Sequence, residues 1–338
     1  MAINRVEIKD FLVFKGEFAV DFCSGVNVII GGNGTGKTTL LKVLYAACEF
    51  SRMWKQQTSE WKKSILDYFS KNNSGLNLAL DSKDNAPFFI KIFYNNNATT
   101  ITFEYKDDKL PIKNENVNLW NLDMKSIFIP TTEMLSHSKG FLALNEKYKI
   151  PFDATQIDIV VNAELPEARE LPPVYTEILE KINHIIHGKV VFEDDTFFIQ
   201  KDNGKKIEFS FEAEGFRKFG VLEKLIRNGL LEKDSILFWD EPECNINPEL
   251  MSYLVDILLD LQMNGVQIFV ATHSEIFASY FPVCKQKENS VMFHSLYKDG
   301  EYIKVNSNDR FDLLEPNKLT EEPVKLYEKE LDGVFGDD

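Results

Sequence analysis

The chain has 338 residues, of which 53 are acidic and 38 are basic, and its formal net charge at pH 7 is −15. Hydrophobic residues make up 44% of the sequence, which is enough for a buried core and excludes a largely disordered protein. No apolar run approaches the roughly 18 residues of a membrane-spanning helix, and the first residues lack the regions of a signal peptide, so we expect a cytoplasmic protein with no membrane contact. The negative charge disfavours a protein that coats nucleic acid, so any DNA contact is expected to be local.

The first fifty residues follow a strand, turn and helix pattern. Strands are predicted at 4–8, 17–22 and 26–30, and the last of them is apolar except for Asn27 and is followed by glycines. A helix is predicted from 38 to about 49, because its apolar residues recur at helical spacing. Further along, an amphipathic helix is predicted between 54 and 69 and antiparallel strands between 76 and 105.

Residues 106–173 show no readable pattern except for a buried strand at 126–129, which Pro130 ends. The second half then alternates strands with helices. Helices are predicted at 174–186, 215–229 and 248–263, and strands at 189–192, 196–200, 206–211, 235–239 and 266–271. This alternation favours a parallel sheet with helices on both faces. Residues 301–338 form an acidic segment. Its apolar positions predict a helix that docks on the protein and is followed by a loose end; they are Val324, Leu326, Tyr327 and Leu331.

Residues 31–38 match GxxxxGK[ST], the P-loop, and they lie between a buried strand and a helix as that motif requires. In a P-loop the backbone N–H groups and the helix N-terminus bind phosphate oxygens, the lysine reaches the β and γ phosphates, and the hydroxyl binds Mg²⁺. The predicted ATP-binding residues are Asn33, Gly34, Thr35, Gly36, Lys37, Thr38 and Thr39. The alternatives are a glycine turn without a ligand and a dinucleotide site, although the spacing does not give GxGxxG.

A second motif lies at the end of the apolar strand 235–239, where Asp240 and Glu241 follow directly. This is the form of a Walker B element, in which Asp240 would hold Mg²⁺ together with Thr38 and Glu241 would polarise the attacking water. A lone Asp-Glu pair after a strand is more often a solvent-facing cap. The P-loop upstream favours the catalytic interpretation.

Three segments in order resemble the Walker B, D-loop and H-switch of ABC-type ATPases: residues 240–243, 245–248 and 270–274. The resemblance implies that His273 contacts the γ phosphate and is catalytic together with Glu241. The start of the chain, residues 8–11 followed by the P-loop, resembles the SMC and RecF-like branch of these ATPases. Residues 213–220 and the Asp-Glu-Pro-Glu run are similar to small AAA/ABC ATPases of bacterial defence and toxin-like operons.

The same resemblance implies a head-to-head dimer in which a signature motif contacts the partner's γ phosphate. Aligning that motif on Gly215 places Ala213 where the family has a serine, so the hydroxyl contact is absent. Gly215 and Arg217 are the candidate trans contacts, and a solvated helix face explains Arg217 and Lys218 equally well. No Q-loop glutamine follows the strand at 126–129, where residues 131–133 are Thr, Thr and Glu.

Together these features predict an α/β ABC ATPase head, with a mixed or parallel P-loop sheet, an N-terminal antiparallel sheet and an inserted lid-like subdomain. The predicted boundaries are 1–50 for the first lobe, 51–187 for the insert, 188–300 for the second lobe and 301–338 for an acidic helix and tail. The predicted function is an ATP- and Mg²⁺-dependent homodimeric switch coupled to a nuclease or toxin partner in anti-phage defence. The alternatives are a DNA-repair or DNA-end-binding ATPase and a transporter ATPase subunit.

Overall fold

The computed structural model describes residues 2–55, 68, 88–94, 99–104, 112–113, 125–148, 150 and 152–335. Its strands lie in three sheets. In chain order they are β1 (Ile3–Phe11), β2 (Phe14–Asp21), β3 (Val26–Gly31), β4 (Phe89–Tyr94), β5 (Thr99–Glu104), β6 (Ile112–Lys113), β7 (Ser126–Ile129), β8 (Gly188–Glu193), β9 (Thr196–Lys201), β10 (Lys206–Glu208), β11 (Ile236–Asp240), β12 (Gln267–Ala271), β13 (Val291–Asp299) and β14 (Tyr302–Asn308).

The helices include one that follows the P-loop directly. They are α1 (Lys37–Lys55), α2 (Phe141–Tyr148), α3 (Ala154–Glu164), α4 (Pro173–Ile186), α5 (Glu214–Arg227), α6 (Pro248–Met263), α7 (Glu275–Cys284) and α8 (Lys318–Phe335). Helix α6 has the predicted bounds, because Asn247 caps its N-terminus and proline occupies its first position. Within the described ranges, no helix combines the length and apolar character needed to cross a membrane.

The central sheet has six strands in the order β14-β13-β3-β12-β11-β7. The five strands from β13 to β7 are parallel neighbours, and β14 is an antiparallel edge strand. Successive side chains point to opposite faces of the sheet. Ile29 and Phe269 therefore belong to the core that contains α1 and the N-terminal sheet, whereas Val28 and Val270 belong to the core with α4, α5 and α6. Burial on both faces explains why these strands are predominantly apolar.

The N-terminal antiparallel sheet has the order β2-β1-β4-β5-β6, and a small antiparallel sheet has the order β10-β9-β8. The predicted α/β architecture with a mixed sheet and an antiparallel N-terminal sheet is therefore confirmed. The described parts of residues 51–187 contribute strands to both large sheets, since β4 pairs with β1 and β7 pairs with β11. The four domain boundaries stay predictions.

Several elements differ from the sequence-based expectation. Helices α2 and α3 occupy the segment that had no readable pattern, and α7, β13 and β14 follow the last predicted strand. The predicted strand 206–211 ends early, because a 3₁₀ helix, Phe209–Phe211, replaces its second half. The helix expected between 54 and 69 lies almost wholly outside the described residues.

The C-terminal helix is present, but the prediction that it docks on the protein is wrong over its described side chains. Every residue from 322 to 331 is exposed, and Leu326 and Tyr327 are each 61% exposed. The spacing of the apolar residues in this segment predicts a helix, but it does not predict whether another part of the protein covers them. Among the side chains that the structure describes, the anchored ones are at the start of α8, where Leu319 packs on the core, and just before it the Ser295 hydroxyl donates to the Pro316 carbonyl.

Candidate nucleotide-binding and catalytic site

The candidate site lies at the carboxyl ends of four adjacent parallel strands, β3, β12, β11 and β7. The P-loop follows β3, His273 follows β12, Asp240 and Glu241 lie at the end of β11, and Thr131 follows β7. Ligands in open parallel sheets bind at this edge. Motifs separated by more than 200 residues in sequence therefore meet in one place.

The loop between β3 and α1 requires glycine at two positions. Gly31 has φ +148°, and a Cβ atom there would lie 2.3 Å from the Leu296 carbonyl oxygen. Gly36 has φ +92°, and its Cβ would lie 2.7 Å from the Val13 side chain. Side chains are excluded at both positions, so the backbone N–H groups can turn toward an anion at the start of α1.

Lys37, the first residue of α1, is 6% exposed. Its ammonium donates to the carbonyl oxygens of Gly31 at 2.8 Å and Gly32 at 3.1 Å, and it lies 3.4 Å from His273 Nδ1. Burial lowers the pKa of Lys37 to about 8, against the opposing attraction of Asp240, Glu241 and Glu243. The lysine is therefore a buried cation with carbonyl partners and no direct carboxylate partner in the described part of the chain.

The other predicted P-loop residues surround this lysine. Asn33 and Gly34 are exposed in the loop, and the buried Thr35 hydroxyl donates to the Gly32 carbonyl at 2.9 Å. Thr39 lies in the first turn of α1. The structure thus brings the predicted ATP-binding residues into one loop and helix start.

Thr38 and Asp240 are in direct contact, because the threonine hydroxyl donates to Asp240 Oδ2 at 2.9 Å. Burial raises the pKa of Asp240, and Glu241 adds to this shift, while hydrogen bonds from Thr38 and Thr131 oppose it. Thr131 was not predicted as a site residue. Its position directly after β7, where the ABC family has its Q-loop, was the available signal.

His273 joins the two halves of the site. Its Nε2 lies 3.2 Å from Glu241 Oε1, and its Nδ1 faces the Lys37 ammonium. Because an ammonium can only donate, Nδ1 is the acceptor, and we assign the ring proton to Nε2, the nitrogen near Glu241. Burial, followed by the Lys37 charge, lowers the pKa of His273, so the imidazole is neutral at pH 7.

Glu243 fixes the backbone that carries His273. Its Oε1 accepts the Thr272 hydroxyl at 2.5 Å and the His273 N–H at 3.1 Å. Burial raises the pKa of Glu243. Sequence reasoning placed Glu243 in the Walker B run without a role, because its partners lie 29 and 30 residues further along the chain.

The two predicted trans-signature residues lie on the first turn of α5. Gly215 lies next to the backbone of residues 245 and 246, and Arg217 pairs with Glu133 at 3.2 Å. In the described part of the chain, no hydrogen bond or ion pair joins either residue to the P-loop. The solvated-face interpretation is wrong for Lys218, which is only 2% exposed.

Comparison with known protein families identifies the domain. A family model described as "AAA domain, putative AbiEii toxin, Type IV TA system" matches residues 26–279, which is well over half of the chain. The chain belongs to this AAA domain family. The matched range begins at the P-loop strand and includes the Asp240–Glu241 pair and His273.

Two curated relatives match this AAA domain over short stretches. A structural maintenance of chromosomes protein 3 homolog of Plasmodium falciparum is 34% identical over 58 residues, which is 16% of this chain and 5% of the relative. The DNA replication and repair protein RecF of Oenococcus oeni is 44% identical over 45 residues, which is 13% of this chain and 12% of the relative. The chain therefore spans only a small part of the length of these relatives.

Solved structures of similar fold cover nearly the whole chain. The SMC head domain from Thermotoga maritima has a TM-score of 0.53 and 14% identity, covering 90% of this chain and 98% of that structure. An SMC head bound to the C-winged helix domain of ScpA has a TM-score of 0.56 and 12% identity, covering 92% and 99%. The AAA domain has the fold of an SMC head, and its predicted resemblance to SMC/RecF-like ABC ATPases is confirmed.

Proposed function

We propose that this AAA domain binds and hydrolyses Mg²⁺-ATP, and that ATP joins two copies into a cytoplasmic switch that controls an effector protein. The observation that supports it best is the contact of His273 with both Lys37 and Glu241, next to the Thr38–Asp240 hydrogen bond. These contacts support phosphate binding by Lys37, a base role for Glu241, and Mg²⁺ binding by the oxygen atoms of Thr38 and Asp240.

The residues present fit ATP and Mg²⁺. Because Gly31 and Gly36 have no side chains, the backbone of the loop is open to phosphate groups. The buried Lys37 ammonium has no direct carboxylate partner among the described residues. Thr38 and Asp240 offer the hard oxygen atoms that Mg²⁺ prefers, and they would hold it together. Bound Mg²⁺ neutralises charge on the phosphate oxygens during transfer.

Glu241 is the proposed general base. Its carboxylate is partly exposed, at 30%, and its Oε1 lies 3.2 Å from His273 Nε2. A carboxylate in this position can orient and polarise a water molecule. The neutral His273 would keep that carboxylate in place and contact the γ phosphate as the family resemblance implies.

In the proposed dimer, Gly215 and the start of α5 face the phosphate of the partner copy. Ala213, the residue before α5, has no hydroxyl to offer there. Arg217 would contact the partner only after leaving Glu133. This interface is therefore expected to close more weakly than one with a signature serine, and an effector would strengthen it.

The effector that we propose is a nuclease or toxin, and the setting is anti-phage defence. The description of the matched family supports this proposal, because it names a toxin and a toxin–antitoxin system. An SMC head among the similar structures is bound to a protein partner, ScpA. DNA repair is the second candidate, supported by the short RecF match and disfavoured by the net charge of −15. A transporter subunit is disfavoured by the altered signature.

The test uses Glu241→Gln, which keeps the shape of the side chain and removes the base. The variant should bind ATP as the parent does, should lose hydrolysis by at least about a hundredfold, and should shift toward dimer in light scattering with ATP. Glu288→Gln, an exposed position, is the matched control and should behave as the parent. Pulldown of the trapped variant from the native host then distinguishes a nuclease or toxin partner from DNA.

Parental turnover in Glu241→Gln would show that Glu241 is not the base. A single mass in every nucleotide state, with and without the captured partner, would rule out ATP-driven dimer closure. Recovery of DNA without a protein effector would favour the repair candidate.

A further inference from the structure

Lys218 is a buried cation on α5 outside the ATP site. It is 2% exposed and is among the largest fully buried side chains in the described residues. Its ammonium donates to the Glu241 carbonyl oxygen at 3.0 Å, and no ion pair to it occurs within the described ranges. Burial lowers the pKa of Lys218. Because taking an ammonium out of water is costly, a lysine in such a place is not explained by stability.

The carbonyl that Lys218 contacts belongs to an unusual turn. Glu241 has φ +49°, which lies in the left-handed region that residues with a Cβ atom rarely adopt. Its N–H donates to the Ala271 carbonyl at 2.8 Å, and its own carbonyl also accepts the Cys244 N–H at 3.1 Å. The strained conformation is therefore held at both ends, and Lys218 supplies the charged contact.

The direction of the Glu241 side chain depends on this conformation, because φ sets where Cα–Cβ points. In the observed conformation, Glu241 Oε1 lies 3.2 Å from His273 Nε2. A return of φ to the usual right-handed or extended region would redirect the carboxylate. The Lys218 contact thus acts on the carboxylate through the backbone, without touching it.

Helix α5 also contacts the segment after β7. Arg217, next to Lys218, pairs with Glu133, and Glu133 in turn accepts the Ser136 N–H at 3.1 Å. One helix start is therefore bonded to the loops that follow both β7 and β11. A shift of α5 would move the Glu241 turn.

We propose that Lys218 is a positioning residue, which holds Glu241 in the left-handed conformation and couples the position of α5 to the carboxylate that faces His273. Its effect on turnover rests on the proposed function. Its effect on the backbone of the Glu241 turn does not.

The test is Lys218→Met, which keeps the length of the side chain and removes the ammonium. Lys224→Met is the matched control, because Lys224 is also buried on α5 but its ammonium contacts Glu167 at 3.5 Å. Amide hydrogen exchange in the peptide covering 240–247 should become at least about tenfold faster in Lys218→Met and stay unchanged in Lys224→Met. Turnover should fall at least about tenfold with ATP affinity within about twofold, and the melting temperature should not fall.

Unchanged exchange at 240–247 in Lys218→Met would overturn the proposal, whatever the enzyme assay gives. Faster exchange with parental turnover would also overturn it, because the carboxylate would then not depend on the turn. If the parent itself does not hydrolyse ATP, the proposed function fails and the exchange result alone decides the role of Lys218. Should Lys218→Met not fold, Lys218→Gln takes its place, and failure of both to fold would show a purely structural role.

Discussion

Raising the pH from 7 to 9 should weaken ATP binding about tenfold through Lys37 alone. The pKa of this lysine is lowered to about 8 in the free protein, and phosphate binding requires the charged form. The apparent dissociation constant is the intrinsic one divided by the protonated fraction, which is about 0.9 at pH 7 and about 0.09 at pH 9. The ratio of these fractions gives the tenfold loss.

The same pKa shift has a defined effect on folding. A base whose pKa falls from 10.5 to about 8 on folding binds fewer protons in the folded state between these two pH values. Stability rises with pH wherever the unfolded chain binds more protons, so the parent should gain up to about 3 kcal/mol from Lys37 as the pH rises from 8 to 10.5. A bound phosphate would remove this gain by restoring the charged form.

Calorimetric titration of ATP with Mg²⁺ at pH 7, 8 and 9 measures the effect on binding. Titrations in buffers of different ionisation enthalpy should also show proton uptake above pH 8. Lys42→Met is the control, because Lys42 lies on the same helix but its ammonium donates to Asp153 at 2.7 Å. This variant should still lose ATP affinity about tenfold between pH 7 and 9. Lys37→Met should bind ATP weakly at every pH. An affinity of the parent that does not change between pH 7 and 9 would refute the reasoning.

Four further outcomes are expected. Thr38→Val should remove most of the gain in ATP affinity that Mg²⁺ provides, measured by titration with and without the metal, because the hydroxyl next to Asp240 is lost. His273→Ala should lower turnover at least about tenfold in a phosphate-release assay and leave ATP affinity within about twofold. Glu243→Ala should lower the free energy of unfolding by about 1–3 kcal/mol in urea denaturation, since the buried Thr272 hydroxyl and the partly buried His273 N–H lose their acceptor, while Glu243→Gln should largely restore it. Duplex DNA should bind weakly at physiological salt in a filter assay, and tight, salt-resistant binding would contradict the charge argument.

The P-loop was predictable because the spacing of its glycines and lysine in the sequence determines the conformation of the loop backbone. The motif requires glycine where side chains are excluded, and the structure has such exclusions at Gly31 and Gly36. Helix α6 was predictable for a similar local reason, because Asn247 and Pro248 specify where it begins. Local chemistry of this kind is contained in a few adjacent residues.

Features that depend on distant residues were not predictable in the same way. Lys218 on a helix is ordinarily a solvated charge, and its burial follows from a contact with Glu241, 23 residues later. The exposure of Tyr327 on α8 likewise depends on whether another surface lies opposite, which amphipathic spacing does not encode. Strands β13 and β14, by contrast, could have been predicted from local sequence. An Asp-Gly pair, Asp299–Gly300, lies between two segments in which apolar and polar residues alternate, and this is a signal for a β-hairpin.

The order of the strands explains why His273 occupies the centre of the site. Chain order runs from the P-loop strand β3 through β11, which carries Glu241, to β12, which carries His273, but in the sheet β12 lies between the other two. Neighbouring strands in a sheet are about 4.8 Å apart, so β3 and β11 are separated by roughly 10 Å at this edge. A direct contact between the Lys37 ammonium and the Glu241 carboxylate is not observed, and the imidazole ring fills the gap with one nitrogen facing each partner. The parallel crossover that inserts β12 between β3 and β11 therefore places His273 between the Lys37 ammonium and the Glu241 carboxylate.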